Sequence, residues 1–95
     1  MKLNSNAQNV EKEQIKFFKF PKKEVLNMKK DQINRSIDLR RALYLGNLER
    51  QKVKIVFADE NGYKRVETTI WGVTDKSVIL KQSTLIPLQR IVSVA

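Results

Sequence analysis

The apolar residues of this chain change their spacing at Leu48, and that change limits the possible folds more than any other feature. Before Leu48 the spacing is helical, with Leu39 and Leu43 four residues apart. After it, apolar and polar residues alternate, as at Val53 and Ile55, which is typical of a strand that buries one face. The sequence therefore predicts a helix followed by a small domain that is mainly β.

The predicted helix covers residues 37–45, with the sequence IDLRRALYL. Ser36 belongs to the residue types that favour a helix N-cap, so it is expected to begin the helix. Gly46 followed by Asn47 is a common helix end, so the helix is expected to stop there.

Five short strands are expected after Leu48. A hairpin loop from Asp59 to Gly62 separates the first, KVKIVFA, from a second that runs from Tyr63 to Trp71. A turn around Asp75 leads into SVILK, and the closing stretch is expected to form two strands around a tight helical turn after Pro87. Because small sheets protect their edges by curling, we expect a five-stranded barrel of the SH3-like or Sm-like type.

Three segments follow from this reading. Residues 1–14 are polar, without an apolar period, and are expected to be a disordered lead-in. Residues 15–35 form a basic, aromatic extension that is partly helical, and residues 36–95 hold the helix and the barrel. The N-terminus has no apolar core of a signal peptide and no run of residues spans a membrane, so we expect a cytoplasmic protein without a membrane partner.

The composition favours binding over catalysis. The formal net charge of +9 attracts polyanions and makes their binding salt-dependent. The chain has no cysteine and no histidine, and of the four carboxylates of the β half, Asp59, Glu60, Glu67 and Asp75, three lie in predicted turns. We therefore expect no enzyme activity, no cofactor and no metal site.

A set of cations with one aromatic residue is the predicted nucleic-acid-binding surface. It extends along the helix, the linker and the outward faces of the first two strands, as a positive stripe for a phosphate backbone. An ordinary solvated face, with Arg41 paired to Asp38, is the alternative, and for Trp71 packing against the helix is favoured over stacking on a base, because Leu39, Leu43 and Tyr44 need a surface to cover them. The predicted residues are Arg40, Arg41, Arg50, Lys52, Lys54, Arg65 and Trp71.

A second predicted surface lies in the extension, where aromatic rings alternate with lysines. Its members are Phe17, Phe18, Phe20, Lys22 and Lys23, and they are expected to bind a partner. The rings are also suited to stacking on unpaired bases, to packing into the barrel, or to adding a strand to another sheet.

Residues 37–94 resemble the Sm-like fold, in particular the family of the bacterial RNA chaperone Hfq. The resemblance lies in a short helix, the basic linker LERQK, a strand ending in Asn61-Gly62, the VILK strand, and the closing IPLQRIVSV. The Rho-termination inhibitor is a second relative in shape. This chain has PLQR where the Hfq family carries Tyr-Lys-His, and ETT in place of the glycine in the bent second strand, so the uridine pocket and the hexameric ring are not carried over. The resemblance implies the fold and a general habit of binding RNA.

Two functions from different classes follow from these observations. The first is a non-catalytic protein that binds RNA or single-stranded nucleic acid, for example as a post-transcriptional regulator. The alternative is an accessory subunit that docks on a large machine, such as the ribosome, RNA polymerase or Rho, through its N-terminal extension. A homo-oligomeric structural role is a third possibility.

Overall fold

The computed structural model describes residues 7–95 as one long helix and two small sheets. The helix α1 spans Lys29–Glu49, and 3₁₀ turns occupy Lys12–Phe17, Lys81–Ser83 and Leu88–Arg90. The strands are β1 (Gln8–Asn9), β2 (Val53–Asp59), β3 (Gly62–Thr68), β4 (Ile70–Val73), β5 (Ser77–Leu80), β6 (Thr84–Pro87) and β7 (Ile91–Val94). The prediction of a small, β-rich protein with one helix is confirmed, whereas the expectation that the helix precedes all the strands is wrong, because β1 comes before α1.

The described strands form two separate sheets, so the predicted closed barrel of five strands is not confirmed. The first sheet has the order β1-β3-β2-β7 and the second has the order β4-β5-β6. The predicted second strand is interrupted at Thr69, so that its halves, β3 and β4, join different sheets. The pair of β1 with β3 is parallel, and the other described pairs are antiparallel.

The local turn predictions agree with the structure. Asp59 pairs with Gly62 across the β2–β3 hairpin, and Gly62 adopts the φ of 139° that glycine tolerates. Asp75 lies in the β4–β5 turn, where the Thr74 hydroxyl accepts hydrogen bonds from two backbone N–H groups. The 3₁₀ turn after Pro87 separates β6 from β7 as expected.

The predicted bounds of the helix are wrong at both ends. Ser36 lies inside α1, where its hydroxyl donates back to the Gln32 carbonyl at 3.2 Å. Gly46 is also inside and buried, and the helix ends at Arg50, which takes the left-handed conformation with φ 56° and donates its N–H to the Gly46 carbonyl. The position requires glycine for a steric reason, because a Cβ at Gly46 would lie 2.6 Å from the carbonyl oxygen of Ile70.

The prediction of a disordered lead-in is wrong for residues 7–14. They form β1 and the start of the first 3₁₀ turn, and Ala7 and Val10 are buried. The N–H of Val10 extends the pairing with β3 by donating to the Arg65 carbonyl at 2.9 Å. These few apolar side chains are enough to order the segment, because the edge of β3 is free to pair with it. Residues 1–6 of the expected lead-in lie outside the described residues.

The core lies between the two sheets and the inner face of α1. Except for Ile15 in the first 3₁₀ turn, its fully buried side chains come from the strands. Helix α1 packs on β4 and β7, one strand from each sheet, and Leu39 and Ala42 lie in that contact face. The largest fully buried side chains are Phe57, Ile15, Ile55, Ile70, Leu80, Ile86 and Ile91.

The extension is tied to the body by a buried arginine. Arg35 makes a bidentate contact with Glu24, with both N–O distances 2.7 Å, and also donates to the Ile91 carbonyl at 3.0 Å. One turn away, the N–H of Val25 donates to the Gln89 carbonyl at 2.9 Å. These bonds hold the segment before α1 against β7 and the turn that precedes it.

Replacing Glu24 with glutamine is expected to lower the free energy of unfolding by about 1–2 kcal/mol at pH 7, because Arg35 loses its charged partner. Partial burial raises the pKa of Glu24, but hydrogen bonds from Arg35 and from the Leu26 N–H outweigh it, so the pKa lies below its ordinary value of 4.5. A depressed pKa means that the stabilisation is present above the unfolded-state pKa and is lost as the pH falls through the folded-state pKa. Urea unfolding at neutral and acidic pH should therefore show that the free energies of unfolding of the two proteins become equal in acid. A gap that is the same at both pH values would contradict this account.

Candidate nucleic-acid interface

An open cleft of about 530 Å³ lies between the end of α1 and the outer side of the second sheet. Trp71 is the aromatic residue of this cleft, and its side chain is 56% exposed. Arg50 and Lys81 supply the positive charge. The site, called the Trp71 cleft below, is lined by Gly46, Asn47, Arg50, Thr69, Trp71 and Lys81.

Three local features bring the Trp71 cleft together. Alternation along β4 buries Ile70 and turns Trp71 outward, as the sequence predicts. Arg50 is the residue that ends α1, directly above β4. The antiparallel pairing of Ile70 with Leu80 carries Lys81 to the same place, because Lys81 follows the end of β5.

The charges of the Trp71 cleft are available to a ligand. In residues 7–95, neither Arg50 nor Lys81 forms an ion pair with a carboxylate. An exposed indole ring stacks on any base, while neighbouring cations contact the phosphates on either side. The arrangement suits an unpaired nucleotide better than a duplex, whose bases are already stacked.

A second open groove of about 560 Å³ holds three of the other predicted cations. Its charge is mixed: Lys54 lies directly across from Glu67 in the β2–β3 register, and Glu11 lines the same groove. Arg65 is engaged in the fold, since its Nε donates to the Asn9 Oδ1 at 2.8 Å and holds β1 in place. This surface, called the lysine groove, is lined by Asn9, Val10, Glu11, Lys52, Lys54, Arg65 and Glu67.

The two helix cations lie apart from both clefts. Arg40 and Arg41 are exposed on α1, and Arg41 approaches Asp38 at 3.9 Å, which is a long contact between exposed groups. The cations expected to form one stripe are therefore distributed over the Trp71 cleft, the lysine groove and the outside of the helix.

The aromatic residues of the extension have two different environments. The rings of Phe18 and Phe20 are partly buried and pack against the core at Phe57, with centroids 6.2 and 5.8 Å from its ring. Phe17 is 76% exposed, and the Lys16 Nζ lies 5.2 Å from its ring centroid. Lys22 and Lys23, the other residues predicted to bind a partner, are exposed.

The sequence analysis missed Lys81, although it lies beside Trp71. The pairing of β4 with β5 would have placed it there, because a lysine just after SVIL faces the start of the preceding strand. It also missed that three cations serve the fold. Arg35, Lys64 and Arg90 are buried, and Arg90 donates to the carbonyls of Ala58 at 2.8 Å and Lys23 at 2.8 Å.

Residues 7–95 contain no group of three or more histidine, cysteine or acidic side chains placed to hold a metal ion. Over the same range, no helix combines the length and apolar character needed to cross a membrane. Comparisons with protein-family models, with curated proteins and with solved structures found no match for the chain.

Proposed function

We propose that this protein binds single-stranded nucleic acid, RNA before DNA, without catalysing a reaction. The observation that carries the proposal is the Trp71 cleft, where an exposed indole ring lies with Arg50 and Lys81. A base stacks on the ring and the two cations contact the flanking phosphates. The lysine groove supplies additional positive charge from Lys52 and Lys54.

The overall charge supports the same function. The chain has 19 lysines and arginines against 10 acidic residues. Among the described residues, Arg40, Arg50, Lys52, Lys54 and Lys81 are exposed, whereas the ion pairs Arg35–Glu24 and Lys64–Asp59 involve buried or partly buried side chains. Most of the surface cations are therefore available to displace the counterions of a polyanion.

The order of the strands also supports the proposal. The resemblance to Sm-like proteins implies a helix, a bent second strand and a 3₁₀ turn before the last strand. Here β3 and β4 follow each other with only Thr69 between them, and a 3₁₀ turn joins β6 to β7. Because fold alone does not define function, the weight of the proposal rests on the Trp71 cleft.

The alternative function, docking on a large machine through the extension, has less support. Its motive is the aromatic content of the extension, with three rings at Phe17, Phe18 and Phe20. Two of them, Phe18 and Phe20, pack on Phe57 in the core, which leaves Phe17 as the exposed ring of the three. A single ring beside lysines is a small anchor for a protein partner.

Replacing Trp71 with alanine is expected to weaken binding of a single-stranded oligonucleotide by about 5–150-fold, since stacking on one ring contributes about 1–3 kcal/mol. The fold should persist, because more than half of the side chain is exposed. Fluorescence anisotropy of a labelled uridine-, adenine- or mixed-sequence strand measures the change.

Tyr44 provides a matched control, because it is an exposed aromatic residue on α1 outside the Trp71 cleft. Tyr44→Ala should bind the strand as the unaltered protein does. Equal affinity of the Trp71→Ala and unaltered proteins would exclude the Trp71 cleft as the site, and no binding by the unaltered protein at low salt would exclude the proposed function.

A further inference from the structure

The outer face of α1 carries a row of apolar side chains that the fold does not use. Ile33, Ile37, Tyr44 and Leu48 are each at least half exposed. With 3.6 residues per turn, they fall within an arc of about 60°, along roughly 22 Å of the helix. We call this row the outer stripe.

The outer stripe lies opposite the face that α1 buries. The buried positions of the helix are Arg35, Leu39, Ala42 and Gly46, which face β4 and β7. A helix on a protein surface normally turns its apolar side inward and its polar side outward. Here both sides carry apolar residues, and aligned exposed groups of this kind mark an interaction surface more often than scattered ones do.

The charges beside the outer stripe are positive. Lys29, Lys30, Arg40 and Arg41 are exposed and lie within about 70° of the centre of the stripe. The acidic residues of the helix are roughly a third of a turn away from it, and the contact of Arg41 with one of them is long, at 3.9 Å. A partner on this face meets an apolar seam with basic borders.

We infer that the outer stripe is the docking site for an acidic amphipathic helix of another protein. A seam only one or two side chains wide accommodates one helix, whose apolar residues at spacings of three and four pack against it. Glutamates or aspartates that flank those residues pair with the lysines and arginines along the borders. This surface shares no residue with the Trp71 cleft or with the aromatic and lysine surface around Phe17.

A second copy of the chain fits the stripe less well. In an antiparallel pair the apolar residues match, because Ile33 meets Leu48 of the other copy. The same register places Arg40 against Arg41 of the other copy at the centre of the contact. Like charges at the centre of an interface are costly, and the net charge of +9 adds repulsion between copies.

An anionic membrane surface also fits less well. Helices that lie in the membrane interface have a wide apolar face and a large separation of apolar from polar sides. The outer stripe is narrow, and the charged side chains of Arg40 and Arg41 border it on both sides between Ile37 and Tyr44.

Two synthetic peptides test the proposal. One is an acidic helix with leucine at the seam positions and glutamate on both borders, and the other is a scrambled peptide of the same composition without a seam. The full chain should bind the first peptide at least about tenfold more tightly than the second, as measured by fluorescence anisotropy. Equal binding of the two peptides, or no binding of the first, would overturn the proposal.

Matched variants locate the binding. Arg40→Glu with Arg41→Glu, and separately Ile37→Ser with Leu48→Ser, should each weaken binding of the acidic helix by about tenfold or more. Lys52→Glu with Lys54→Glu changes the net charge by the same amount as the arginine pair, yet it should leave this binding nearly unchanged. Equal losses from the two charge reversals would mean that only the overall charge attracts the peptide and would overturn the proposal.

Two further measurements separate this inference from the other possibilities. Trp71→Ala should bind the acidic helix normally, so a failure of the nucleic-acid proposal leaves this result intact. Sedimentation of the chain alone tests whether a second copy binds the stripe, and sedimentation with phosphatidylglycerol vesicles tests whether a membrane does. The chain could self-associate or bind vesicles, lose that property in the Ile37→Ser with Leu48→Ser variant, and show no preference for the acidic helix over the scrambled peptide. That result would assign the stripe to a second copy or to a membrane instead.

Discussion

Replacing Asp59 with alanine is expected to lower the free energy of unfolding by about 3–5 kcal/mol, because it leaves a buried lysine without its counterion. The Asp59 side chain is almost fully buried, and its Oδ1 accepts a hydrogen bond from the Lys64 Nζ at 3.2 Å. The same oxygen accepts from the N–H groups of Asn61 at 2.9 Å and Gly62 at 3.0 Å. One carboxylate thus both neutralises Lys64 and closes the β2–β3 hairpin.

Two companion variants separate these contributions. Asp59→Asn retains an oxygen that accepts the two loop N–H groups, so it should lose mainly the charge pairing. Adding Lys64→Met to Asp59→Ala removes the unpaired charge, and it should restore a substantial part of the lost stability. Urea unfolding measures all four proteins. If Asp59→Ala cost less than about 1 kcal/mol, or if the double variant were less stable than Asp59→Ala, the pair would not have the role assigned to it.

Replacing Gly46 with alanine is expected to lower the free energy of unfolding by about 1–3 kcal/mol. In an exposed helix the same change would stabilise by up to about 1 kcal/mol, since alanine has the higher helix propensity. Here the new Cβ would lie 2.6 Å from the Ile70 carbonyl oxygen and 3.1 Å from the Thr69 Cγ2. The first neighbour is backbone, so the helix and β4 must move apart, and the steric cost exceeds the gain in propensity.

Asn47→Ala is the matched control, because Asn47 is the next residue of the same helix and is exposed. It should leave the stability unchanged or raise it by a few tenths of a kcal/mol. Thermal or urea unfolding of both variants decides the question. A Gly46→Ala protein as stable as the unaltered one would mean that α1 does not approach β4 as closely as the structure has it.

The strands were predictable because their signals are local. Alternation identifies Val53, Ile55 and Phe57 as core residues of β2, although Val56 on the opposite face is buried too, and the Asp59–Gly62 loop needs only the residues within it. Pro87 marks the break between β6 and β7 for the same reason, since its ring removes a backbone donor. The outward position of Trp71 followed from that alternation as well.

The helix and the first residues were not predictable because their packing is distant in sequence. Apolar residues lie on both sides of α1, so no single stripe shows where the helix begins. Gly46 resembles a helix end until the approach of Ile70 is known. Val10 is isolated in a polar segment, and only the edge of β3 and the core explain its burial.

The residues of the candidate site were also predictable only where their signal is local. Arg50 and Trp71 were identified from the linker and the strand pattern, whereas Lys81 depends on the pairing of β4 with β5. The sequence does not show which cations are free to bind a ligand and which stabilise the fold. Arg65 is an example, because its guanidinium holds Asn9 and with it β1.

Quenching of the Trp71 fluorescence by a single-stranded oligonucleotide tests the central proposal most directly. Trp71 is the one tryptophan of the chain, so its emission reports from the cleft alone. We expect saturable quenching in ~50 mM salt, with the affinity falling by about tenfold or more in ~200 mM salt as phosphate contacts are screened. Emission that stays constant through a titration in low salt would contradict the proposal that a base stacks on Trp71.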